Sequence, residues 1–568
     1  MSANARRQAL DSLTGPGAEY ELVAVRVRGG NVCRVVRSAP ESVPDLLLGT
    51  LRFGDLEYLE YLGETYTFSD VVSQTARLAE ALRRMGVGRG DRVAVCMRNL
   101  PEWPAAFFAP MALGAVTVSL NGWWSGEEIE YGLRDAGAGT LIVDGGRMSR
   151  IAGRLGALGV RTIAVRASGP LPEGAAAWED VLGPAPGPDL APVPVAPDDD
   201  CLMLYTSGST AGPKGAVSTH RNVVHALFAW EIENRAQAIL RGESVPSEPF
   251  EVQHRMLVTI PFFHVTACHC CMLTAVRLGR RLTLMRKWDP EHALDLIERD
   301  RITHFISVPT ITGDLVRVAA ERGRSLPSLL AIGGGGSHRP ARQVSAIPET
   351  FENAQPGTGW GMTETNAIGT QISALDYLNA PTSSGRRSVL MDMKIVDPES
   401  GEELPRGETG ELWVRGTPVV RAYWNKPEAN AEAFRDGWFR TGDLAYVNEL
   451  EFIHFVDRIK EIVIRGGENI SCLNVEDALY RCEGVAEAVA FGVPDERLGE
   501  ELAAVIVPRN GVELTAEGVR RSMEEHLGRF EVPTRILFRS DPLPRIATGK
   551  FAKRRIRQDV LEGLSSGR

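Results

Sequence analysis

Cysteine is scarce in this chain of 568 residues, which contains only Cys33, Cys96, Cys201, Cys268, Cys270, Cys271, Cys472 and Cys482. Outside the group at 268–271 they are widely spaced, which excludes a scaffold built on disulfides and predicts reduced thiols in a cytoplasmic protein. Positive charge is not in excess either. There are 63 Lys and Arg residues against 73 Asp and Glu, a formal net charge of −10. No global positive field can hold nucleic acid, so an anionic ligand must meet a local cluster of donors.

A long apolar run is also missing. The most apolar stretch, residues 105–120, is shorter than a membrane span and contains Pro110, so it predicts a buried helix that leads into a strand. The first 13 residues carry Arg6, Arg7 and Asp11 before any apolar run forms, which is not the pattern of a signal peptide. With 43% hydrophobic and 24% charged residues, the composition excludes a disordered chain, a collagen-like fibre and a coiled coil.

Strand-like and helix-like stretches alternate along most of the chain. The pattern predicts a helix over 67–85 that opens at Ser69–Asp70, a helix over 290–300, and strands at 92–97, 140–144, 161–166, 257–260, 281–285 and 304–308. This alternation favours α/β layers with mainly parallel sheets. Residues 169–197 are rich in Pro, Gly and Ala and predict a surface connection. Residues 393–414 predict an antiparallel β subunit, and a compact α+β segment follows a break near 457–460.

The most informative stretch is Tyr205–Val217, which directly follows the apolar residues 201–204. A strand that runs into a loop of hydroxyls, glycines and a lysine is typical of a phosphate cradle. Its glycines allow backbone N–H groups to approach anionic oxygens, and its side chains supply donors and charge: Gly208, Gly212 and Gly215, then Thr206, Ser207, Ser209, Thr210 and Lys214. It is not a Walker A loop, because Pro213 interrupts it and no Ser or Thr follows the lysine.

Four further motifs come after it in order: Gly359–Thr365, Thr441–Asp443, Asp457–Ile470 and Pro544–Lys550. Together with the phosphate loop they resemble the adenylate-forming superfamily of acyl-CoA synthetases, luciferases and nonribosomal adenylation domains. The resemblance covers nearly the whole chain from about Asp45. It implies a large N-terminal domain of two layered α/β sheets with a small β subdomain, and a mobile C-terminal α+β domain. It also implies a stand-alone acid:CoA ligase that uses ATP, Mg²⁺ and CoA.

The resemblance assigns a role to each motif. Adenylation joins two anions, whose repulsion costs about 4 kcal/mol at ~4 Å and an effective dielectric of ~20, so the site must supply cations. Lys550 is expected to bridge the carboxylate and the α-phosphate, Thr363 to donate to that phosphate, and Glu364 to hold Mg²⁺. Asp443 and Arg458 are expected to bind the ribose and Trp360 to stack on adenine. The remaining nucleotide-binding positions are Gly335, Gly336, Ser337, Gly359, Gly361 and Met362.

The acid pocket is assigned by position relative to these motifs. His264 is expected to gate it, and its other candidate residues are Trp230, Val308, Thr310, Gly333, Gly335, Met362 and Ile368. Their mix suits a medium acyl or aryl group, and Ala267 replaces a frequent glycine, which shortens the tunnel. The cluster Cys268–Cys271 contains a CxxC spacing, but without a second ligand pair we favour small buried cysteines in a helix. Ser337-His338-Arg339 departs from the usual Pro-Leu-containing loop, either beside the pocket or on the surface.

The second half-reaction depends on a domain movement in this family. The expected division is an N-terminal domain over 1–456, a hinge over 457–460 that includes Lys460, and a C-terminal domain over 461–568, with Gly466 and Gly467 on the path of pantetheine. The run Arg277, Arg280, Arg281, Arg286 and Lys287 either binds the 3′-phosphate of CoA or is a solvated edge. A carrier protein as acceptor, and a diazotase that uses nitrite on an aryl amine, are the enzyme alternatives. A non-catalytic nucleotide-binding protein is disfavoured, because all the charged residues are present.

Overall fold

The structure is a computed structural model that describes residues 3–565 except 28, 186, 188, 207–211 and 244–251. Most of the phosphate loop, Ser207, Gly208, Ser209 and Thr210, therefore lies outside the described residues. The helices are α1 Ala3–Thr14, α2 Val43–Leu48, α3 Phe68–Arg84, α4 Trp103–Ala112, α5 Gly126–Ala136, α6 Gly145–Ile151, α7 Leu155–Leu158, α8 Trp178–Leu182, α9 His220–Leu240, α10 Thr274–Leu278, α11 Pro290–Arg299, α12 Pro309–Arg322, α13 Ala341–Thr350, α14 Ala374–Asn379, α15 Pro427–Ala433, α16 Cys472–Arg481, α17 Ala516–Met523 and α18 Lys553–Ser565.

The strands are β1 Leu22–Arg26, β2 Val32–Val36, β3 Glu57–Tyr61, β4 Glu64–Thr67, β5 Arg92–Cys96, β6 Val116–Ser119, β7 Thr140–Asp144, β8 Arg161–Val165, β9 Ala175–Ala177, β10 Asp200–Thr206, β11 Lys214–Thr219, β12 Arg255–Val258, β13 Arg281–Leu284, β14 His304–Ser307, β15 Ala331–Gly334, β16 Gln355–Thr358, β17 Thr370–Ser373, β18 Arg386–Arg387, β19 Met391–Val396, β20 Gly410–Gly416, β21 Ala422–Tyr423, β22 Phe434–Arg435, β23 Trp438–Val447, β24 Ile453–Arg458, β25 Val463–Arg465, β26 Glu468–Ile470, β27 Val485–Asp495, β28 Gly499–Pro508 and β29 Arg535–Phe538. Short 3₁₀ turns occur at Gly49–Phe53, Ala152–Arg154, Thr363–Thr365 and Arg529–Glu531, and a π-helix at Thr266–Leu273.

Two large mixed sheets form most of the molecule. One has eight strands in the order β21-β11-β10-β6-β5-β7-β8-β9, and the other has nine in the order β18-β17-β16-β15-β14-β12-β13-β3-β4. Both are parallel through their centres and antiparallel at edges such as β10–β11 and β16–β17. One apolar core takes side chains from both sheets and from α3, α4 and α9, with Trp103 and Phe107 among its largest fully buried members. The predicted α/β layers are confirmed.

Two smaller sheets lie further along the chain. Strands β19, β20, β22, β23 and β24 form an antiparallel sheet, which confirms the predicted β subunit. Strands β25–β29 form a mixed sheet, antiparallel except for the parallel pair β28–β29, with separate apolar clusters that include Leu479 and Leu502 in one and Phe491 and Ile556 in the other. Because α16, α17 and α18 cover this sheet, the chain after β24 has its own core, as an α+β unit requires. No helix among the described residues is long and apolar enough to cross a membrane.

Two local predictions are corrected. Helix α3 begins at Phe68, not at Ser69–Asp70, because Thr67 caps it: the Thr67 hydroxyl accepts the Asp70 N–H at 3.0 Å, and the Asp70 carboxylate accepts the Thr67 N–H at 2.8 Å. The predicted surface connection at 169–197 contains β9 and α8. There Trp178 and Leu182 are buried and α8 packs on α3, so apolar burial overrides the Pro/Gly composition.

Candidate active site

A buried carboxylate lies where β23 pairs with β24. Asp443 is opposite Arg458 in the antiparallel register, and the Arg458 Nε donates to Asp443 Oδ1 at 3.0 Å. The Trp360 indole N–H donates to the other oxygen at 2.7 Å. Burial raises the pKa of Asp443, and the Arg458 guanidinium opposes that shift. The structure therefore brings together three residues that the sequence assigned to one nucleotide.

One face of the Trp360 ring is covered by a neighbouring aromatic side chain. It stacks on Phe455 with ring centroids 5.3 Å apart and an interplanar angle of 20°. Its N–H is held by Asp443, so the ring orientation is fixed by neighbours from the β subunit. Phe455 was missed by the sequence analysis, although it lies only three residues before the assigned Arg458.

Glu364 lies in the 3₁₀ turn Thr363–Thr365 and is buried. The Tyr423 hydroxyl donates to its Oε1 at 2.7 Å, and the Lys214 Nζ lies 4.9 Å from the centroid of the Tyr423 ring. Burial raises the pKa of Glu364, while the hydrogen bond from Tyr423 and the charge of Arg458 oppose the rise. Tyr423 thus connects the lysine of the phosphate loop to the assigned metal ligand. It was also missed, because nothing in its local sequence marks it.

A network of buried polar groups holds the segment after this turn. Asn366 has a left-handed backbone, φ 51°, and is fully buried. Its Oδ1 accepts from the Ser218 hydroxyl at 3.0 Å and lies 2.9 Å from the His269 Nε2, and its Nδ2 donates to the Pro418 carbonyl at 2.8 Å. Burial lowers the pKa of His269 to about 4, so its imidazole is neutral. Asparagine is one of the few residues that tolerate this backbone conformation, a signal that could have identified it.

The backbone that follows the turn Thr363–Thr365 leaves no room for a side chain at Gly361. A Cβ there would lie 2.3 Å from the Ala367 carbonyl oxygen, closer than any real side chain comes to a backbone oxygen. Gly359 is similarly close to the carbonyl of Thr370. The motif's glycines therefore allow two backbone segments to touch, and this contact sets the positions of Trp360, Met362 and Thr363 between them.

Lys550 enters the site from the C-terminal part of the chain. Its loop is fixed by a hydrogen bond of 2.7 Å from the Thr310 hydroxyl to the Gly549 carbonyl, and the Gly549 backbone lies against Val308 and Ile311 of the segment that opens α12. The Lys550 Nζ lies 3.1 Å from the point where a Cβ on Gly336 would stand. Burial and the charge of Arg458 lower the pKa of Lys550 to about 8, and Asp443 opposes the shift.

His264 faces the same lysine. Burial and the positive charge of Lys550 lower its pKa to about 3, so the imidazole is neutral at physiological pH. Of the other predicted pocket residues, Val308 and Ile368 are buried, Gly333 packs on the Ile306 side chain, and Gly335 and Met362 are partly buried. Trp230 lies in α9, where it lines a narrow gap with Thr274 and Leu278 of α10.

Comparison with known proteins agrees with this geometry. Residues 50–424 match the family model described as "AMP-binding enzyme", and residues 474–550 match the one described as "AMP-binding enzyme C-terminal domain". The chain belongs to the AMP-binding enzyme family. The predicted superfamily is thereby confirmed.

Relatives of this AMP-binding enzyme are named as CoA ligases. A feruloyl-CoA synthase of Amycolatopsis sp is 35% identical over 497 residues, covering 87% of this chain and 94% of the relative. A long-chain-fatty-acid–CoA ligase of Bacillus subtilis is 29% identical, covering 90% and 93%. The ATP-bound structure of MatB from Rhodopseudomonas palustris superposes with a TM-score of 0.78 at 26% identity, covering 91% and 98%.

These matches establish the reaction. The protein is an AMP-forming acid–CoA ligase of the acyl-CoA synthetase type: a carboxylic acid is activated by ATP as an acyl-adenylate with release of pyrophosphate, and the thiol of CoA accepts the acyl group. Enzymes of this family use ATP and CoA and generally require Mg²⁺.

Several residues of this AMP-binding enzyme that the sequence assigned to ligand binding or to the hinge lie on the surface. Gly466 and Gly467 are exposed at the turn between β25 and β26, and their φ values of 61° and 94° explain why glycine is needed there. Lys460 is exposed just after β24, and Ser337 is exposed beside Gly336. Of the two cations in the divergent loop, His338 contacts Asp477 of α16 at 2.9 Å, whereas Arg339 is buried beneath Gly334 and donates to the Thr312 hydroxyl at 3.3 Å.

The basic run was expected either to bind the 3′-phosphate of CoA or to be a solvated edge, and neither description fits most of it. Arg277 pairs with Glu231 at 3.0 Å and lies over Phe228, and Arg281 is buried beside Glu57 and Asp300. Arg280 is partly buried, with its Nη1 3.7 Å from the Met256 sulfur. Only Arg286 and Lys287 of that run are exposed. Three of the five cations are therefore used within the fold, and the run is not a free phosphate-binding patch.

The cysteine cluster lies in the π-helix Thr266–Leu273 rather than in an α-helix. Cys268 and Cys271 are buried, and burial raises the pKa of Cys271 to about 12, so its thiol is neutral. Among the described residues no group of three or more His, Cys, Asp or Glu side chains could hold a metal ion. The interpretation as small buried cysteines holds for Cys268 and Cys271, while Cys270 is partly exposed.

Proposed function

We propose that this ligase activates an aromatic carboxylic acid of the arylpropenoic class. The observation that supports the reaction site is the convergence of Lys550, Glu364 and the Asp443–Arg458 pair on one another, through contacts and through the charges that shift their pKa values. The acid class is supported by the relative named feruloyl-CoA synthase. Buried Val308 and Ile368 and the neutral His264 supply a largely apolar lining that suits an aryl ring.

The nucleotide is held by residues from four segments. Asp443 and Arg458 bind the ribose, and Trp360 offers adenine the face that is not stacked on Phe455. Thr206, Lys214 and the loop 207–210 bind the β- and γ-phosphates, with Gly335, Gly336 and Ser337 along the nucleotide. Glu364 fits Mg²⁺, because a single carboxylate together with substrate phosphates is the usual donor set for that ion, which would neutralise charge on the departing pyrophosphate.

Lys550 supplies the positive charge that the two reacting anions need in the first step. Its ammonium lies against Gly336 and within range of Asp443 and Arg458, where it can contact both the acid carboxylate and the α-phosphate. Thr363 donates to the same phosphate. One preorganised donor or charge at such a centre contributes about 3 kcal/mol of transition-state stabilisation.

The second step requires a different placement of the C-terminal part. We place the N-terminal domain at 1–456, the hinge at 457–460 with Lys460 as pivot, and the mobile domain at 461–568. Gly466 and Gly467, which are exposed in the present arrangement, would turn toward the acyl-adenylate and admit the pantetheine arm of CoA. Free CoA, rather than a carrier protein, is the proposed acceptor, because the relatives are named as CoA ligases.

The test is pyrophosphate–ATP exchange with a matched panel of acids. We expect the fastest exchange with ferulate and 4-hydroxycinnamate, slower exchange with phenylpropanoate, which lacks the double bond, and little with hexadecanoate. Addition of CoA should then accelerate AMP release with every acid that supports exchange. Exchange confined to alkanoic acids would contradict the aromatic class, and AMP release that is unchanged by CoA but dependent on an acyl carrier protein would contradict the acceptor.

A further inference from the structure

A second cavity lies away from this site. It has a volume of about 470 Å³ and is bounded by α1, β2, β18, β19 and the connection between β23 and β24; we call it the basic cavity. That volume falls within the ~300–1,000 Å³ typical of small-molecule sites. Its wall includes Val447 and Ile453, which lie four and five residues along their strands from Asp443 and Arg458. At ~3.3 Å per residue these positions are about 13–17 Å apart, so the basic cavity is distinct from the catalytic site.

Cations from separate parts of the chain converge on the basic cavity. They are Arg6 of α1, Arg34 of β2, Arg387 of β18, Lys394 of β19, and Arg406 before β20. Arg7 and Arg386 also line it, against only three lining carboxylates. In a chain whose net charge is −10, the seven cations leave a small local excess of positive charge over these three carboxylates and over Glu233, Asp376 and Asp392, which pair with the lining cations.

The nearby carboxylates neutralise this charge only in part, because cations share them. Asp392 is shared by Arg34 at 2.6 Å, Arg415 at 3.2 Å and Arg387 at 4.0 Å. Partial burial and the positive charges of Arg34 and Arg6 lower the pKa of Arg387, and the carboxylates of Asp392 and Glu451 oppose the shift. A guanidinium whose neighbours destabilise its charge gains from any anion that comes within reach.

Other carboxylates are shared in the same way. Glu451 pairs with both Arg406, at 3.1 Å, and Arg7, at 3.9 Å. Arg6 and Arg386, by contrast, each pair with a buried carboxylate of their own. The side chain of Arg387 is 52% exposed, so it can reach a ligand. The Lys394 Nζ lies over the rings of Trp413 and Trp438, 4.9 and 4.8 Å from their centroids, rather than against a carboxylate. The positive charge that remains therefore comes mainly from Lys394 and from Arg34, Arg387 and Arg406, whose carboxylate partners are shared.

The remaining wall is apolar. It includes Leu10, Val389, Ile395 and Leu404. A ligand that fits must pair several negative charges with an uncharged body that can lie on this wall. Guanidinium groups match phosphate oxygens in pairs, and several of them together favour an anion with more than one charge. We propose that the basic cavity binds a phosphorylated small molecule of nucleotide size, at a site independent of the proposed function.

Equilibrium dialysis of the full chain with labelled ATP, in the absence of any acid, tests this assignment. We expect two ATP molecules per chain. Asp443→Asn should remove the catalytic one and leave the other. Arg387→Gln and Lys394→Gln, each of which keeps a long polar side chain, should weaken the second site at least tenfold and leave pyrophosphate–ATP exchange unchanged. Arg317→Gln is the matched control, because Arg317 is equally exposed at 52% but lies on α12, outside the basic cavity.

Inorganic tripolyphosphate identifies which part of the ligand is bound. If it competes for the second site, the phosphate chain alone is recognised; if it does not, the apolar wall must also be filled, and both results support the proposal. A single ATP per chain that Asp443→Asn abolishes would overturn it. So would a second site that survives both Arg387→Gln and Lys394→Gln in variants whose unfolding temperature equals that of the wild type.

Discussion

At the scale of single residues, this site places charged groups where water cannot solvate them fully. Burial raises the pKa of Asp443 and Glu364 and lowers that of Lys550 to about 8. Each shift disfavours the charged form on which the proposed chemistry depends. Bound Mg²⁺ would favour the carboxylate form of Glu364, and the phosphates of the nucleotide would favour the ammonium form of Lys550, so ligand binding and the charged forms of these two groups stabilise each other.

Replacing the lysine tests its role directly. We expect Lys550→Ala to slow pyrophosphate–ATP exchange by at least ~100-fold, because about 3 kcal/mol of transition-state stabilisation is lost. Transfer of the acyl group from a supplied acyl-adenylate to CoA should change much less. Lys287→Ala, at an exposed lysine, is the control. Equal slowing of both half-reactions would contradict the assignment.

The pKa of Lys550 also predicts a pH dependence. The ammonium form is present below a pKa of about 8 and is lost as the pH rises through it. We therefore expect kcat/KM for ATP, which reports the free enzyme, to fall above pH ~8. Lys550→Arg should be slower overall but should lack this alkaline fall, because a guanidinium stays charged. An identical alkaline limb in both proteins would show that another group titrates.

At the scale of elements, the turn that carries Thr363 and Glu364 is positioned by Asn366, the residue directly after it. The side chain of Asn366 joins β11, the π-helix and the segment at Pro418. The π-helix thus has a structural use, since it places the His269 ring against this amide. Irregular helical turns of this kind are frequent at functional sites.

Asn366→Ala should therefore damage both stability and activity. Three polar partners lose their bonds and alanine must adopt φ 51°, so we expect the free energy of unfolding in urea to fall by about 3 kcal/mol, together with slower exchange. Asn366→Gly loses the same hydrogen bonds but adopts φ 51° without backbone strain. It should therefore be less damaging than Asn366→Ala. Asn353→Ala is the control, because Asn353 makes one exposed hydrogen bond, to the Pro327 carbonyl. A loss no larger than that of the control would contradict the network.

At the scale of the whole molecule, three contacts hold the C-terminal part over the nucleotide site. Thr310 binds the Gly549 carbonyl at 2.7 Å, and Arg545 pairs with Asp314 at 2.7 Å. His338 contacts Asp477 at 2.9 Å, and that carboxylate raises the pKa of His338 against the effect of burial. If the domain rotates between half-reactions, as we propose, all three must break, so they stabilise only the arrangement described here.

Asp477→Asn should separate the two half-reactions. The weakened contact, partly exposed and worth about 1 kcal/mol, should slow pyrophosphate–ATP exchange about fivefold and leave acyl transfer from a supplied acyl-adenylate unchanged or faster. Glu517→Gln neutralises a carboxylate that forms an exposed pair with Arg521 of α17 at 3.3 Å and should alter neither step. Parallel slowing of both steps in Asp477→Asn would argue against a conformation-specific contact.

The sequence predicts what depends on local pattern and on motif. Strands such as β7, β8 and β13, and helix α11, lie within a residue or two of their expected positions, because their apolar runs are bounded by clear turn signals. The segments carrying Lys214, Glu364, Asp443, Arg458 and Lys550 were recognisable because each lies in a short, glycine-containing motif. Tyr423, Phe455 and His269 were not, since their roles depend on side chains distant in sequence.

What the sequence alone determined was the family and the layered α/β architecture, because local spacing and residue type are enough to recognise them. The sequence also supplied the charged residues that we propose for adenylation. The tertiary structure decided which cations form ion pairs within the fold, such as Arg277 and Arg281, and which converge on a cavity, such as Arg34 and Arg387. It also turned His338 toward Asp477 and buried Arg339. The reason is physical: the energy of a charge depends on its solvent exposure and neighbours, and these exist only once distant segments have packed together.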